Sequence, residues 1–368
     1  ETMPELSSNA PWPARSVRLA PTAFPGDTMQ QPTVLISGVS GFIAKHCAVE
    51  MLKSGYGVRG TVRSLKRADE VRASIARHAD VARLEFAQAD LDVDAGWDAA
   101  VAGCAHVLHV ASPFPAAEPK DEQDLIRPAV QGTLRVLKAA SAAGVQRFVQ
   151  TSSMVAVMYG HAHGRTAPFT EVDWTVVDAP GLTAYAKSKT LAERAGREFM
   201  KTDRSGMHYS TVNPGLVLGP ALDRDIGTSA QIIQMILKGK YPGAPRLKIP
   251  CVDVRDVARM HRLALEVDAP GFGRYLGVAD SLWLIEIARA IRDGLGDAGR
   301  KAPNRELPDW LVRIVAIFDF AARQAAPDLG KNFVIDNSLT RTTLGMEFIP
   351  ARDAAVAMAQ SLLELKLV

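Results

Sequence analysis

From Thr33 onward, short apolar runs alternate with longer stretches in which apolar positions recur every three to four residues. Short apolar runs bounded by turn residues read as buried strands, and the longer period reads as amphipathic helix. The pattern predicts strands over Thr33–Ser37, Tyr56–Val62, Leu84–Ala87, His106–Val110, Arg147–Thr151 and His208–Asn213. It predicts helices over Phe42–Ser54, Ala68–His78, Trp97–Val101, Leu125–Ala143 and Leu182–Lys201, the first closed by Gly55 and the fourth stopped at Gly144. Strands joined through helices run parallel, because a helical crossover returns the chain to the same end of the sheet. The expected fold class is α/β, with a doubly wound parallel sheet.

Beyond Pro214 the pattern loosens. Helical segments are expected at Ser229–Lys238, Val252–Leu265, Leu282–Leu295, Trp310–Ala325 and Ala354–Leu365, between loops such as Tyr241-Pro242-Gly243-Ala244-Pro245. Residues 29–214 are read as the dinucleotide-binding domain. Residues 215–368 are read as a smaller, mainly helical substrate lobe with segments returning to the main domain. The run Leu311–Phe320 is apolar but carries Arg313 and Asp319, so it reads as a packed core helix rather than a membrane span. In residues 1–28, Pro4, Pro11, Pro13, Pro21 and Pro25 interrupt any helix, and no apolar run follows the charges. That stretch is expected to be a disordered leader and not a signal peptide or anchor. Met29, just ahead of the first strand, would be a natural start.

Composition narrows the class. A chain of 368 residues with 47% hydrophobic residues has enough apolar content for one large core and a lobe. The net charge of +3 is too small and too scattered for a nucleic-acid-binding surface. Cys47, Cys104 and Cys251 are far apart with no C-x-x-C spacing, which reads as reduced thiols in a cytoplasmic protein.

The chemistry is concentrated at the ends of the predicted strands. After the first strand comes Gly38-Val39-Ser40-Gly41-Phe42-Ile43-Ala44, a glycine turn opening into a helix. Small residues there let backbone N–H groups approach a pyrophosphate, whose charge the helix N-terminus favours. The second strand ends in Thr61-Val62-Arg63-Ser64-Leu65-Lys66-Arg67, with no acid to hold a ribose 2′-hydroxyl. Arg63 suits a 2′-phosphate, so NADP(H) is preferred, with NAD(H) as the alternative. Asp90 and Leu91 follow the third strand and would meet the adenine edge; Ala111 and Ser112 follow the fourth and would border phosphates or ribose. The fifth ends in Thr151-Ser152-Ser153, where either serine could donate to a carbonyl. Tyr185 and Lys189 stand four apart on a helix and so share a face. An ammonium beside a phenol is expected to pull its pKa down from about 10 and let it exchange protons near neutral pH.

Together these motifs resemble an extended short-chain dehydrogenase/reductase, a Rossmann-fold family. More narrowly, the chain is similar to the dihydroflavonol 4-reductase, cinnamoyl-CoA reductase and aldehyde/ketone reductase group. The likeness runs from Thr33 to Val368. It rests on Val34 to Ala44, Thr61-Val62-Arg63, His109-Val110-Ala111-Ser112-Pro113, Arg147 to Ser153, Tyr185 to Glu193 with its Tyr-x-x-x-Lys, and Asn213 to Pro220. The resemblance implies Tyr185 as proton donor, Lys189 on the nicotinamide ribose and Ser153 rather than Ser152 as the catalytic serine. It places the pyrophosphate on Gly38, Ser40, Gly41, Phe42 and Ile43, and the nicotinamide carboxamide against Pro214, Leu216 and Val217. It gives Arg63 the 2′-phosphate. Asp69-Glu70 stand where the group carries a helping lysine, so Lys66 or Arg67 would substitute. The partner is then a small carbonyl or alcohol substrate, with no nucleic acid or membrane, and the protein a monomer or homodimer.

Five residues after Ser153, flavonoid reductases carry an asparagine and this chain carries Met158, which points to an apolar substrate pocket or, if it faces the core, says nothing about substrate. His161 and His163 lack a third ligand, so no metal is expected. Asp253 and Asp256 are read as structural. The rival readings are an NAD-dependent nucleotide-sugar epimerase or dehydratase and a non-catalytic NADP-sensing regulator. Met154 and Val155 lack the acidic pair of the dehydratases, and the retained Tyr185/Lys189 pair argues against a sensor.

Overall fold

The computed structural model describes residues 32–113, 119, 121–162, 165–268, 272–318 and 320–368. The leader expected over 1–28, and His163, lie outside them. The chain runs β1 (Thr33–Ile36), α1 (Phe42–Lys53), β2 (Gly57–Val62), α2 (Ala68–Ala76), β3 (Leu84–Gln88), α3 (Trp97–Val101), β4 (His106–His109), α4 (Gln123–Ala142), β5 (Arg147–Thr151), α5 (Ala184–Thr202) and β6 (His208–Pro214). It continues through β7 (Leu216–Leu218), α6 (Gly227–Leu237), β8 (Lys248–Asp253), α7 (Val254–Glu266), β9 (Gly273–Gly277), β10 (Asp280–Trp283) and α8 (Leu284–Leu295). The remaining helices are α9 (Asp309–Val315), α10 (Phe320–Ala325), α11 (Ser338–Leu344) and α12 (Ala351–Glu364).

The main sheet has the order β3-β2-β1-β4-β5-β6-β9, and every pairing in it is parallel. Alternation along each strand divides the core. Val34 and Ile36 of β1 pack in one cluster with Ala44 and Met51 of α1 and Val254 and Val257 of α7. Leu35, between them, packs in the other with Val136 and Leu137 of α4 and Phe148 of β5. A sheet buried on both faces needs this apolar continuity, and it explains why these strands lack a polar face.

The C-terminal part is mainly helical, as expected, and also holds a small second sheet, β10-β8-β7. Val252–Leu265 is a strand end followed by a helix: Asp253 N-caps α7 by accepting the Arg255 N–H at 2.8 Å. Runs of three to six residues carry too few periods to separate strand from helix, and β9, bounded by Gly273 and Gly277, returns to the edge of the main sheet unannounced by any pattern. Asp256, read as structural, accepts the Ile349 N–H at 2.7 Å.

Trp310–Ala325 is not one packed helix. It breaks after Val315, where Ile317 and Phe318 donate back three residues, to Ile314 and Val315. The Arg323 guanidinium takes the freed Ala316 and Ile317 carbonyls at 3.1 and 2.9 Å. Trp310, Ile317 and Phe318 are 63%, 63% and 85% exposed while Val312 and Ala316 are buried, so only part of the apolar run packs inward. Among the described residues, no helix is long and apolar enough to cross a membrane.

Strand β2 passes tightly beneath the turn after β1. A Cβ at Gly60 would lie 2.3 Å from Val39 Cγ1, and Val39 is fully buried. Gly60→Ala would ordinarily gain from a stiffer unfolded chain. Here overpacking decides the sign, and a loss of about 1–3 kcal/mol is expected in guanidinium unfolding. Unchanged or increased stability would contradict the packing.

Candidate active site

The carboxyl ends of the parallel strands open on a cavity of about 680 Å³, within the usual range for small-molecule sites. The turn after β1 forms one wall. Gly38 has φ +64°, a left-handed conformation that suits glycine. Its N–H donates to Thr61 Oγ1 at 2.9 Å, the Val39 N–H donates to the Thr61 carbonyl at 3.0 Å, and Gly41 donates to the Gly38 carbonyl at 2.9 Å. The turn therefore rests on β2. Helix α1 starts at Gly41 with no side-chain cap, which leaves first-turn N–H donors at Phe42 and Ile43, both lining the cavity. Opposite, a Cβ on Gly38 would stand 2.9 Å from Ala111 Cβ. Ser37 Oγ fixes that second wall by accepting the Ala111 N–H at 2.9 Å and pairing with His109 Nδ1 at 3.0 Å. His109 is buried, and desolvation, with the Lys189 charge adding to it, pushes its pKa down to about 3.

At the end of β5 the two serines divide. Ser152 Oγ donates to the buried Glu193 carboxylate at 2.5 Å. Ser153 caps a single 3₁₀ turn, Met154–Ala156, accepting the Val155 N–H at 3.3 Å, and its side chain hydrogen-bonds Tyr185. Thr183 caps α5 through its hydroxyl, which accepts the Ala186 N–H at 3.2 Å. That start places Tyr185 in the first turn and Lys189 one turn on, with Lys189 Nζ 6.0 Å from the Tyr185 ring centroid.

The expected lowering of the Tyr185 pKa does not occur in this structure. The side chain as a whole is partly exposed, but desolvation of its hydroxyl pushes the pKa up to about 12, against a smaller downward pull from the Ser153 hydrogen bond. Lys189 is itself buried, and desolvation pulls it down to about 8. At neutral pH the pair is thus a protonated phenol beside an ammonium, an arrangement that can give a proton.

Of the residues predicted from sequence, Gly38, Ser40, Gly41, Phe42, Ile43, Arg63, Asp90, Leu91, Ala111, Ser112, Ser153, Tyr185, Lys189, Pro214 and Val217 all line this cavity. Lys66 and Leu216 do not. Lys66 is exposed on the short turn after β2, and Leu216 packs against the main core, since alternation in β7 sends it opposite to Val217. Arg63 is exposed and has no ion-pair partner among the described residues. Arg67 is engaged by Glu70 and Asp225 at 3.5 and 3.3 Å. Met158 is correspondingly silent about substrate: it is buried with Val157, Phe169 and Leu276 and does not line the cavity. His161 spends Nε2 on the Val157 carbonyl at 3.0 Å, and no group of His, Cys, Asp or Glu among the described residues could hold a metal.

The sequence reading missed Thr61 and the stretch from Asp225 to Ser229. Thr61 was detectable as a polar residue inside a buried strand. Asp225, and Gly227 and Ser229 at the start of α6, reach the cavity because the loop before α6 is tied to α1 and α2: buried Lys45 pairs with Asp223, and Ser74 Oγ donates to the Leu222 carbonyl at 3.5 Å. Nothing local in the sequence announces that tie.

The chain is similar to known proteins over most of its length. The profile of the NAD dependent epimerase/dehydratase family matches residues 34–275. The ketoreductase azaE of Aspergillus niger is 33% identical over 332 residues, which is 86% of this chain and 93% of its own. The cinnamoyl-CoA reductase CAD2 of Medicago truncatula is 34% identical over 268 residues, 71% of this chain and 80% of its own. Among solved structures, Gre2 of Candida albicans in complex with NADPH superposes with a TM-score of 0.75 at 28% identity, covering 91% of this chain and 99% of that one.

The burial of Lys189 has a direct test. Competitive acetylation across pH, read by mass spectrometry, is expected to give Lys189 a midpoint near 8, charged below and neutral above. Surface lysines titrate near 10.4. A Lys189 midpoint in that range would contradict the burial described.

Proposed function

The chain belongs to the NAD dependent epimerase/dehydratase family, the extended short-chain dehydrogenase/reductase type its motifs resemble, and from that premise we propose that it reduces a ketone or aldehyde with NADP(H), reversibly. The observation that carries the reading is the Ser153–Tyr185 hydrogen bond with Lys189 beside it, in one cavity with the glycine turn and Arg63.

The residues fit a nicotinamide dinucleotide. The turn at Gly38 leaves no room for a Cβ against the Ala111 Cβ, so Gly38 presents only backbone there. Uncapped N–H donors at the start of α1 suit a pyrophosphate. The unpartnered guanidinium of Arg63 suits a 2′-phosphate. Residues 29–214 would hold the cofactor, and 215–368 would close the substrate side.

When bound, the reduced cofactor supplies a hydride to the carbonyl carbon. Tyr185, protonated at neutral pH, gives its proton to the carbonyl oxygen. The C=O π bond is thereby exchanged for one C–H and one O–H bond. Ser153 donates a hydrogen bond to the oxygen as negative charge develops on it. Lys189, charged below about pH 8, offsets the phenolate that Tyr185 leaves behind. In the oxidative direction the same phenolate removes the alcohol proton. The likeness to a ketoreductase and to a cinnamoyl-CoA reductase supports a carbonyl substrate.

The reading is tested by following NADPH and NADH absorbance with aromatic aldehydes, α-diketones, flavanones and steroid ketones. At least one compound should be consumed, faster with NADPH. Tyr185→Phe should lower kcat about 10²- to 10⁴-fold and still bind NADPH. Cofactor binding without any consumption would sink the proposal, and tightly held NAD released on denaturation would point to nucleotide-sugar chemistry.

A further inference from the structure

Beneath the cavity lies a buried polar cluster that reaches the cavity wall through Ser152. Glu193, on α5 one turn beyond Lys189, is fully buried. Its Oε1 accepts Arg274 Nε at 2.6 Å; its Oε2 accepts Ser152 Oγ at 2.5 Å and Asn213 Nδ2 at 2.8 Å. Asn213 Nδ2 also reaches the Ser153 carbonyl at 3.3 Å, and its side-chain oxygen accepts the Thr211 hydroxyl at 2.9 Å. Arg274, on β9 and 2% exposed, donates Nη2 to the Ala156 carbonyl at 3.2 Å and Nη1 to the Glu171 carbonyl at 2.9 Å. Its guanidinium stacks 3.9 Å over the Trp174 ring.

Three contacts of this network converge on one short segment, Ser152 to Ala156, while Arg274 also holds the Glu171 and Asp173 carbonyls and the Trp174 ring. Ser152, the residue before Ser153, is held by Glu193. The Ser153 carbonyl is held by Asn213, and the Ala156 carbonyl, ending the turn that Ser153 caps, is held by Arg274. Glu193 shares its helix with Tyr185 and Lys189. The network therefore joins the helix carrying the phenol to the loop carrying the serine.

We propose that Glu193, clamped by Arg274, is a positioning residue that sets the Ser153 hydroxyl within hydrogen-bonding reach of Tyr185. The inference rests on the reading of Tyr185 as proton donor. A buried ion pair is a weak source of stability, because desolvating both charges offsets most of their attraction, and an apolar pair of similar volume commonly serves as well. What an apolar pair cannot do is direct hydrogen bonds to Ser152 and Asn213.

Three variants and one crystal structure separate positioning from mere support. Glu193→Gln should keep NADPH affinity, read by fluorescence quenching, within about twofold, and lower kcat at least tenfold. The double variant Glu193→Leu/Arg274→Met should recover the wild-type melting temperature without recovering kcat. Ser152→Ala, which removes one hydroxyl from the cluster, should lower kcat about three- to tenfold with NADPH affinity kept within about twofold. In a crystal structure of Ser152→Ala or Glu193→Gln, Ser153 Oγ should be displaced from Tyr185 while α5 and β5 keep their places. That last readout holds even if the wild type reduces nothing, so failure of the functional reading and failure of this one stay distinct. Full kcat in the apolar double variant, or an unmoved Ser153 in the crystals, would overturn the proposal.

Discussion

Because the strand that follows β3 pairs with β1 rather than with β3, the two halves of the main sheet grow away from each other. No crossover can cover the carboxyl ends of β1 and β4 at that reversal, so a crevice is left there. The glycine turn after β1 and the Ala111 loop after β4 are its two walls, only a glycine's width apart. Parallel pairing then brings the ends of β2, β3, β5 and β6 to the same edge, and with them Arg63, Asp90, Ser153 and Pro214. These residues are scattered over the chain and share one cavity because the topology leaves them no other edge.

Burial then assigns each titratable group its state. It holds His109 neutral, keeps Tyr185 protonated and brings Lys189 to about 8, within reach of neutral pH. Desolvation, not the ammonium, is the largest influence on the phenol in this structure. A phenol so held gives up its proton only as compensating charge arises beside it, which is what a proton donor in a reduction requires. The buried Glu193–Arg274 pair plays a different part. It hydrogen-bonds the segment that presents Ser153, at the Ser152 hydroxyl and the Ala156 carbonyl.

The first half of the fold was legible because long, regular alternation of apolar strand and amphipathic helix leaves few readings. The site was legible because its chemistry sits in short contiguous motifs: the glycine turn, Thr151-Ser152-Ser153, and Tyr185 with Lys189. What stayed hidden depends on distant partners. Thr61 matters through the turn it braces. Asp225 reaches the cavity because Lys45 anchors Asp223. β7 to β10 are too short for their period to register. Met158 stayed ambiguous for a related reason: counting from Ser153 gives a position in the chain, and only packing shows that it faces the core. The pKa of Tyr185 was misjudged because spacing shows which charge is near and not how much water is lost.

The central claim is direct hydride delivery in a cleft whose own tyrosine supplies the proton. It is tested most directly with NADPH deuterated at C4 and a carbonyl compound that the protein consumes. The account predicts one deuterium on the carbinol carbon of the product for each NADPH oxidised on the transferring face, and a solvent-derived proton on oxygen. Product formed with no deuterium at that carbon, or turnover with no net oxidation of NADPH, would contradict it.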